Sequence, residues 1–256
     1  MTSESIDIIN AFALLTNFVI LPALSYGSQL ALGALAVTLV YSVLRFSNFA
    51  QADSMAFGTM IVILLSSFMI GKGWTISGIP TALLAVPIAI VGTSIYLLSM
   101  DRLVYQHYRK IKAKSITIVM ASIGVMFITG GIVRFILSAK AQKFADGERF
   151  IFSVREFKTY TGLEQGIALK TSQFLTITIA LILVTFVFYF LQKTRTGKAM
   201  RAFSDNKELA LLSGINPDKV VQITWLLVAV LTTIAGTLYG LDKGFAPQQY
   251  HLLLLP

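Results

Sequence analysis

A short polar stretch, RFSNFAQAD from Arg45 to Asp53, interrupts a chain that is otherwise strongly apolar. Two of its side chains, Asn48 and Gln51, are amides, which donate and accept hydrogen bonds without carrying a charge. Such groups suit the passage of a zwitterionic solute, because they offer partners without trapping it. Asp53 adds a carboxylate at the edge of the next apolar segment. We therefore take Asn48, Gln51 and Asp53 as candidate residues of a solute pathway.

Two structures are compatible with this stretch. A charged side chain at the centre of a membrane helix costs about 2.5–3.5 kcal/mol on insertion scales. Arg45 and Asp53 would both avoid that cost in a simple loop at the membrane surface. Alternatively, the stretch breaks a membrane helix, and its freed backbone amides and side chains line a pathway.

A second polar segment, TRTGKAMRAFSDNKELALLSGINPDKV, runs from Thr194 to Val220 between two very apolar segments. Gly197 can start a turn, and the pattern after it predicts one helix from Lys198 to Ser213. The apolar positions of that helix are Met200, Phe203, Leu209, Leu211 and Leu212. Gly214 is a natural C-cap, and Asn216 with the following proline stops the helix. This helix would lie parallel to the membrane, either resting on anionic lipid or docking a motor subunit.

Several kinds of chemistry are excluded by the residue types. The chain has no cysteine, so it has no disulfide, thiolate nucleophile or cysteine metal site. His107 and His251 are isolated, and we expect no metal site. The Gly197-Lys198 pair is not a phosphate loop, because the earlier glycine is missing and Ala199 stands where Ser or Thr must bind magnesium. We therefore expect no cofactor on this chain and no enzymatic activity of its own.

The composition places the chain among membrane proteins. Of its 256 residues 55% are hydrophobic and 13% are charged, about half the charge of a soluble domain. The net charge is +9. We expect the excess basic residues to lie in cytoplasmic loops, near lipid headgroups, and we expect no nucleic-acid partner. Isolated apolar segments of this length must be helices, because lipid offers the backbone no hydrogen-bond partners. We predict an all-α, polytopic helix bundle with about seven hydrophobic spans in a single domain over residues 1–256.

The first apolar run has no charge from Ile8 to Leu44, which is too long for one straight crossing of a ~30 Å core. Pro22 and the SYGS stretch at Ser25 to Ser28 are the expected break. We predict one helix at residues 6–24, as an N-terminal hydrophobic extension, and a second at residues 29–44. The further spans are predicted at Ser54 to Ile70, Ile79 to Met100, Ser115 to Leu137, Ser172 to Leu191 and Val220 to Gly240.

The positive-inside rule orients these spans. Five basic residues between Arg102 and Lys114 predict a cytoplasmic loop, and two crossings later the segment at residues 193–219 is basic as well. The loop between them, Ser138 to Thr171, is therefore expected on the other side. The alternation in its RFIFSVREF stretch predicts a short hairpin.

The second polar segment resembles the cytoplasmic segment of LivH-type permeases, which belong to branched-chain amino-acid ABC transporters. That family reads close to R-x-G-[RK]-A-x-R-A near its start and A-x-x-x-G-I-[ND] near its end. Glu208, Ala210 and Gly214 also fit the spacing of the general EAA---G signature of ABC importers. Leu209 replaces the second residue of that signature. The residues that carry the resemblance are Arg195, Gly197, Lys198, Ala199, Arg201, Ala202, Glu208, Ala210, Gly214, Ile215 and Asn216. Those that the resemblance implies in coupling to an ATPase are Arg195, Gly197, Lys198, Arg201, Glu208, Ala210, Gly214, Ile215 and Asn216.

Two other regions are similar to the same family. The first motif of the family is matched by Asn48, Phe49, Ala50 and Asp53. Where the family has His and Gly, this chain has Gln51 and Ala52. MDRLVYQHYRK resembles the basic loop after its fourth span. Toward the end, GFAPQQYHLLLLP stops where the family continues with a Gly-rich motif and further helices. We therefore expect the chain to be C-terminally truncated relative to the family.

The resemblance implies a multi-pass subunit of the bacterial inner membrane that translocates branched-chain amino acids. Its implied partners are two ABC ATPase subunits, which would hold the ATP and magnesium, a second related permease subunit and a periplasmic substrate-binding protein. A permease of the same superfamily for urea, short amides or sugars remains an alternative. A secondary transporter or channel is another, although apart from Asp53 no acidic residue lies within a predicted span.

Overall fold

The computed structural model describes residues 3–74, 80–138, 142, 144, 150–152, 159 and 167–254. These residues are almost all helical. In chain order the helices are α1 (Ser3–Leu15), α2 (Leu21–Leu44), α3 (Gln51–Gly71), α4 (Thr81–Met100), α5 (Gln106–Lys110), α6 (Ser115–Leu137), α7 (Thr171–Lys193), α8 (Arg195–Asp205), α9 (Lys207–Leu212), α10 (Pro217–Lys243) and α11 (Pro247–Leu254). Two short π-helical segments, Thr16–Ile20 and Asp101–Tyr105, join α1 to α2 and α4 to α5.

Six helical runs of the described chain are long and apolar enough to cross a membrane. Their bounds are Ile9–Leu44, Gln51–Gly71, Thr81–Lys110, Ser115–Leu137, Thr171–Lys193 and Pro217–Lys243. Large apolar side chains stay exposed along them, with Phe135 at 92% and Phe18 at 76%. A surface so apolar fits contact with lipid tails. The all-α membrane bundle is thus confirmed, and the spans predicted from residue 54 to residue 240 are all present.

The predicted break in the first apolar run is wrong. Residues 3–44 form one helical run, and Ser25 to Ser28 lie within α2. The π-segment absorbs the effect of Pro22, since the Leu21 N–H bonds to the Thr16 carbonyl five residues back. The small residues serve packing instead of a turn: Ser25 is fully buried and its hydroxyl accepts a hydrogen bond from Gln29 Nε2 at 3.4 Å. The two predicted helices therefore merge, which gives six spans in place of seven.

Helix α10 forms the centre of the bundle and α7 lies at its edge. In α10 67% of the most apolar window is buried, against 17% in α7. Glycines let α3 approach α10 closely: a Cβ on Gly236 would lie 2.8 Å from the Met55 carbonyl oxygen, and one on Gly58 would lie 2.9 Å from Thr233 Oγ1. Small residues at a helix interface are how membrane helices gain packing contacts.

The bundle has two chemically different ends. The loop after α5 and the α8–α9 segment line one cavity and so lie at the same end, which we call the basic end. At the opposite end Gln142 pairs with Phe245, and strand β1 (Phe150–Phe152) pairs antiparallel with strand β2 (Leu169–Lys170). The predicted strand in RFIFSVREF exists, but its described partner is β2, and residues 153–157 lie outside the described part.

Candidate functional site

The polar stretch between α2 and α3 lies inside the bundle. Helix α2 ends at Arg45, which adopts a left-handed backbone with φ +60°, and α3 starts only at Gln51. Phe46 is 1% exposed and Asp53 is 3% exposed, so this part of the stretch is packed inside the protein, while Arg45 and Ser47 are exposed. The Phe49 N–H donates to Ser122 Oγ at 3.2 Å, about 10 Å along α6 from its basic-end start. Irregular backbone at such depth is tolerated only where protein or a water-filled path surrounds it.

Asn48 organises this stretch through its side-chain amide. Its Oδ1 accepts from the Ala50 N–H at 3.2 Å and from the Tyr105 hydroxyl at 3.1 Å. Its Nδ2 donates to Gln51 Oε1 at 3.5 Å. Two of the three predicted pathway residues, Asn48 and Gln51, therefore touch each other in front of the first turn of α3.

Asp53, the third predicted pathway residue, points toward α6. A Cβ on Gly130 would lie 2.8 Å from Asp53 Oδ1, so only glycine leaves room for the carboxylate there. On the same face of α6, the Thr129 hydroxyl bonds to the Tyr96 hydroxyl of α4. Asp53 thus adds a carboxyl group beside a neutral polar cluster in the interior.

An aromatic layer closes the basic side of the polar stretch. Tyr105 packs against Phe46 with ring centroids 5.1 Å apart, and stacks on Trp225 of α10 at 5.6 Å with an interplanar angle of 12°. All three rings are at most 1% exposed. Because the Tyr105 hydroxyl also reaches Asn48, the layer is bonded directly to the amide cluster above it.

A cavity of about 540 Å³ opens at the basic end, on the other side of this layer. Its floor is apolar, with Leu44, Ile118 and Val221, and two carboxylates, Asp205 and Asp218, lie on its wall. Its basic lining residues are Arg45, Arg109, Lys110, Lys112 and Lys207. Arg109 is held by a bidentate ion pair with Asp101, at 2.6 and 2.8 Å.

The predicted single helix from Lys198 to Ser213 is wrong in its bounds and its continuity. Helix α8 already begins at Arg195, where Thr194 Oγ1 accepts from the Gly197 N–H at 2.9 Å. Asn206 then leaves the helical conformation and caps α9, accepting from the N–H groups of Glu208 and Leu209. Asn, a strong N-cap residue, favours a new helix start over continuation. The coupling segment is therefore two short helices joined at a corner.

This segment is fixed to the membrane helices by its buried side. Met200, Phe203 and Ala210 cluster with Val43 of α2 and Val220 of α10. Leu209, Leu211 and Leu212, also predicted as apolar-face residues, are instead 60%, 45% and 85% exposed.

Gly197 and Gly214 have different roles in this segment. Gly197 lies inside α8 and starts no turn; a Cβ there would come within 2.6 Å of Leu191 Cα, so it permits close packing on α7. Gly214 has φ +78°, and Gly214 and Ile215 donate back to Leu211 and Ala210. This is the predicted C-cap.

The other predicted coupling residues divide between surface and structure. Asn216 does more than stop a helix, since its side chain caps α10 through Asp218 and Lys219. Ala210 is buried and Ile215 is half-buried. The exposed members of the set are Arg195, Lys198, Arg201 and Glu208.

Sequence reasoning missed two contacts at the basic end. The Arg45 guanidinium donates to the Ser204 carbonyl, and Ser204 Oγ donates to the Ser42 carbonyl at 2.9 Å, so the end of α2 is tied to α8. Tyr105 and Trp225 were not predicted as site residues either. Their only sequence signal is an aromatic in a span, which is typical of any membrane core.

The chain is similar to characterised transport proteins over most of its length. Residues 19–254 match the family described as "Branched-chain amino acid transport system / permease component". The permease protein LivH of the high-affinity branched-chain amino acid transport system of Escherichia coli K12 is 25% identical, covering 85% of this chain and 68% of LivH. BraD of Pseudomonas aeruginosa, described in the same words, is 23% identical over 86% of this chain and 69% of its own length.

A relative with a different printed substrate also matches. The fructose import permease protein FruG of Bifidobacterium longum is 27% identical, covering 88% of this chain and 55% of FruG. No solved structure is significantly similar to this chain. With its six apolar helical spans, the chain belongs to the family of branched-chain amino acid transport system permease components and is a multi-pass protein of the bacterial inner membrane.

Proposed function

We propose that this chain is the permease subunit of an ATP-driven importer for branched-chain amino acids. The observation that carries the proposal is the α8–α9 segment, which leaves the membrane bundle, is capped at every start, and is anchored by Met200, Phe203 and Ala210. A lipid-facing loop would need no such anchoring. LivH and BraD, both named as branched-chain amino acid permeases, support the substrate class.

In this proposal the basic end faces the cytoplasm and α8–α9 docks an ABC ATPase. The outer surface offers exposed leucines flanked by charged residues, among them Arg195, Lys198, Arg201 and Glu208. ATP and magnesium would be bound by two separate ATPase chains. A second, related permease subunit and a periplasmic binding protein would complete the transporter.

Coupling would follow from the rigid attachment of this segment. Gly197 allows α8 to pack closely onto α7. Ser204 is hydrogen-bonded to the C-terminal end of α2 and so attaches α8 to that helix. A force on α8–α9 is therefore passed to two membrane helices at once. The ATPase need only bind the two permease conformations with different free energies to drive the change.

Asn48, Gln51 and Asp53 would line the solute pathway. They start α3 inside the bundle, as in transporters whose broken helices present backbone and side-chain groups to a solute. A sugar permease is the second candidate, favoured by the match to FruG.

Uptake by the assembled transporter separates the two candidates. Proteoliposomes containing the permease with its ATPase and binding protein should accumulate labelled leucine only when ATP reaches the ATPase. Labelled fructose should stay at the background level. Fructose accumulation without leucine accumulation would favour the sugar permease, and leucine accumulation without ATP would contradict the ATP-driven mechanism.

A further inference from the structure

Two side-chain N–H groups are buried in the interior without a hydrogen-bond acceptor among the described residues: Gln51 Nε2 and Trp225 Nε1. Gln51 is 2% exposed and Trp225 is fully buried. Leaving a buried donor unpaired costs about 1–3 kcal/mol, so a stable fold rarely keeps two of them together. Each such group needs an explanation, and an acceptor that binds between two neighbouring donors would supply one.

The two donors belong to one connected cluster. Gln51 Oε1 accepts from Asn48, Asn48 accepts from the Tyr105 hydroxyl, and the Tyr105 ring stacks on Trp225. Moving the Tyr105 ring would therefore uncover both N–H groups together. The residues that meet here come from three places in the sequence, which is typical of a site and not of a local turn.

The first turn of α3 lies beside Gln51. Its Gln51 N–H donates to the Asn48 carbonyl at 3.3 Å, and Asp53 is its acidic residue. Its N-cap residue is Ala50, which has no side chain to accept from the turn, and α3 has no side-chain cap hydrogen bond. Helix N-termini favour negative charge, because their free N–H groups and the helix dipole point outward.

We propose that Gln51 Nε2, Trp225 Nε1 and the first turn of α3 form a subsite that receives the carboxylate group of the transported solute. The inference rests on the proposed function and names the groups that read its substrate. Gln51 Nε2 and Trp225 Nε1 are both donors, so they match the acceptor-only oxygens of a carboxylate better than the hydroxyls of a sugar.

The solute reaches this subsite from the cavity at the basic end, or leaves by it. Val221 on the cavity floor lies one turn before Trp225 on α10, and Ile118 lies one turn before Ser122 on α6. The Tyr105–Trp225 stack therefore separates the cavity from the subsite. Separation of these two rings joins the two spaces and releases Gln51 Nε2 and Trp225 Nε1 for binding.

Trp225 itself can report on occupancy. The chain has only two tryptophans, and Trp74 lies 65% exposed at the opposite end. The test uses the Trp74→Phe chain in lipid nanodiscs. Leucine should change the Trp225 emission, and so should 4-methylpentanoate, which lacks the ammonium group of leucine but keeps its side chain and carboxylate. Leucinamide, in which a neutral amide replaces the carboxylate, should need at least about tenfold higher concentration. Equal potency of leucinamide and leucine would overturn the subsite.

A matched pair of variants tests Gln51 directly. Gln51→Leu should raise the leucine concentration for half-maximal emission change by about tenfold or more, because a hydrogen bond to a charged group is lost. Gln29→Leu removes another fully buried glutamine, on α2, and should change it less than about twofold. An effect of Gln29→Leu as large as that of Gln51→Leu would overturn the assignment.

The assembled transporter separates this inference from the proposed function. Trp225→Phe keeps a six-membered aromatic ring at the stack and removes the indole N–H, so it should raise the KM for leucine uptake. Suppose that the native transporter takes up leucine, that Trp225→Phe leaves the KM unchanged, and that the nanodisc experiment shows no emission change. That combination contradicts the subsite and leaves the proposed function intact. Absence of leucine uptake by the native transporter overturns the proposed function itself.

Discussion

At the scale of single residues, the basic end depends on one glycine that allows close packing. Gly197 is buried against the backbone of α7, where an added Cβ would meet Leu191 Cα at 2.6 Å and Leu191 O at 2.7 Å. Backbone cannot rotate away as a side chain can. The position of α8 relative to α7 is therefore set by the absence of this one methyl group.

We expect Gly197→Ala to displace α8 and lower stability by about 1–3 kcal/mol, the usual cost of overpacking. The measurement is thermal unfolding of the purified protein in detergent. Gly131→Ala is the matched control, because a Cβ at Gly131 meets nothing within 4 Å. Equal melting temperatures for the two variants would contradict the packing role of Gly197.

Residue types were readable from the sequence, but their partners were not. Asn48, Gln51 and Asp53 stand out because polar groups are rare in an apolar chain, and all three are buried. Their role in a solute pathway stays a prediction. The Tyr105–Trp225 stack joins residues 120 positions apart in sequence, and no local pattern encodes that pairing. Gly197 was predicted to start a turn, because a glycine that lets two helices approach closely cannot be distinguished by sequence from a glycine in a turn.

At the scale of elements, the α8–α9 segment presents an apolar surface away from the bundle. Leu209, Leu211 and Leu212 stay exposed on the short helix α9 while Ala210 faces inward. Exposed leucines on a polar segment mark a contact surface for a partner. They sit next to the Gly214 C-cap, so their direction is fixed by that cap.

Leu212→Glu should weaken recovery of the ATPase with the permease without lowering the melting temperature, because the side chain is 85% exposed. Co-purification from solubilised membranes measures the first and thermal unfolding the second. Ile111→Glu is the control, an exposed apolar side chain at the same end but outside α8–α9. If both variants reduce ATPase recovery equally, added charge is responsible and α9 is no docking surface.

Element positions followed from hydropathy far better than element ends did. Span α6 was predicted at Ser115 to Leu137 and begins and ends there, because charged residues and a long apolar run define both limits. The expected break near Pro22 failed because a π-turn accommodates the proline. The corner at Asn206 was missed because asparagine is compatible with a helix interior until its capping bonds are formed.

At the scale of the whole molecule, the charge distribution and the fold agree. The loop around Lys110 and the α8–α9 segment, predicted on one side from their basic residues, line the same cavity. Lys72, after α3, lies at the opposite end. The positive-inside rule then predicts that the cavity and α8–α9 face the cytoplasm.

Cysteine labelling tests this orientation cleanly, because the native chain has no cysteine. In intact spheroplasts a membrane-impermeant maleimide should label Lys72→Cys. The same reagent should label Lys110→Cys and Lys198→Cys only after the membrane is opened. All three lysines are exposed, so access depends on the side of the membrane and not on burial. Labelling of Lys72→Cys and Lys198→Cys from the same side would contradict the fold-based topology.

The central claim is that α8–α9 couples ATP hydrolysis to transport, and two glycines allow its most direct test. Gly214 and Gly73 both have positive φ, +78° and +75°, and an added Cβ at either meets nothing within 4 Å. A side chain therefore costs each about the same, roughly 1 kcal/mol. Only Gly214 lies in the coupling segment.

The measurement is substrate-stimulated ATP hydrolysis, with leucine uptake, by proteoliposomes carrying the complete transporter. We predict that Gly73→Asp retains both activities at near-native rates. Gly214→Asp should insert normally into the membrane but lose stimulated hydrolysis and uptake, because the aspartate projects from α9 toward the docked ATPase. Native rates of coupled hydrolysis and uptake for Gly214→Asp would show that the segment is only a lipid-facing loop.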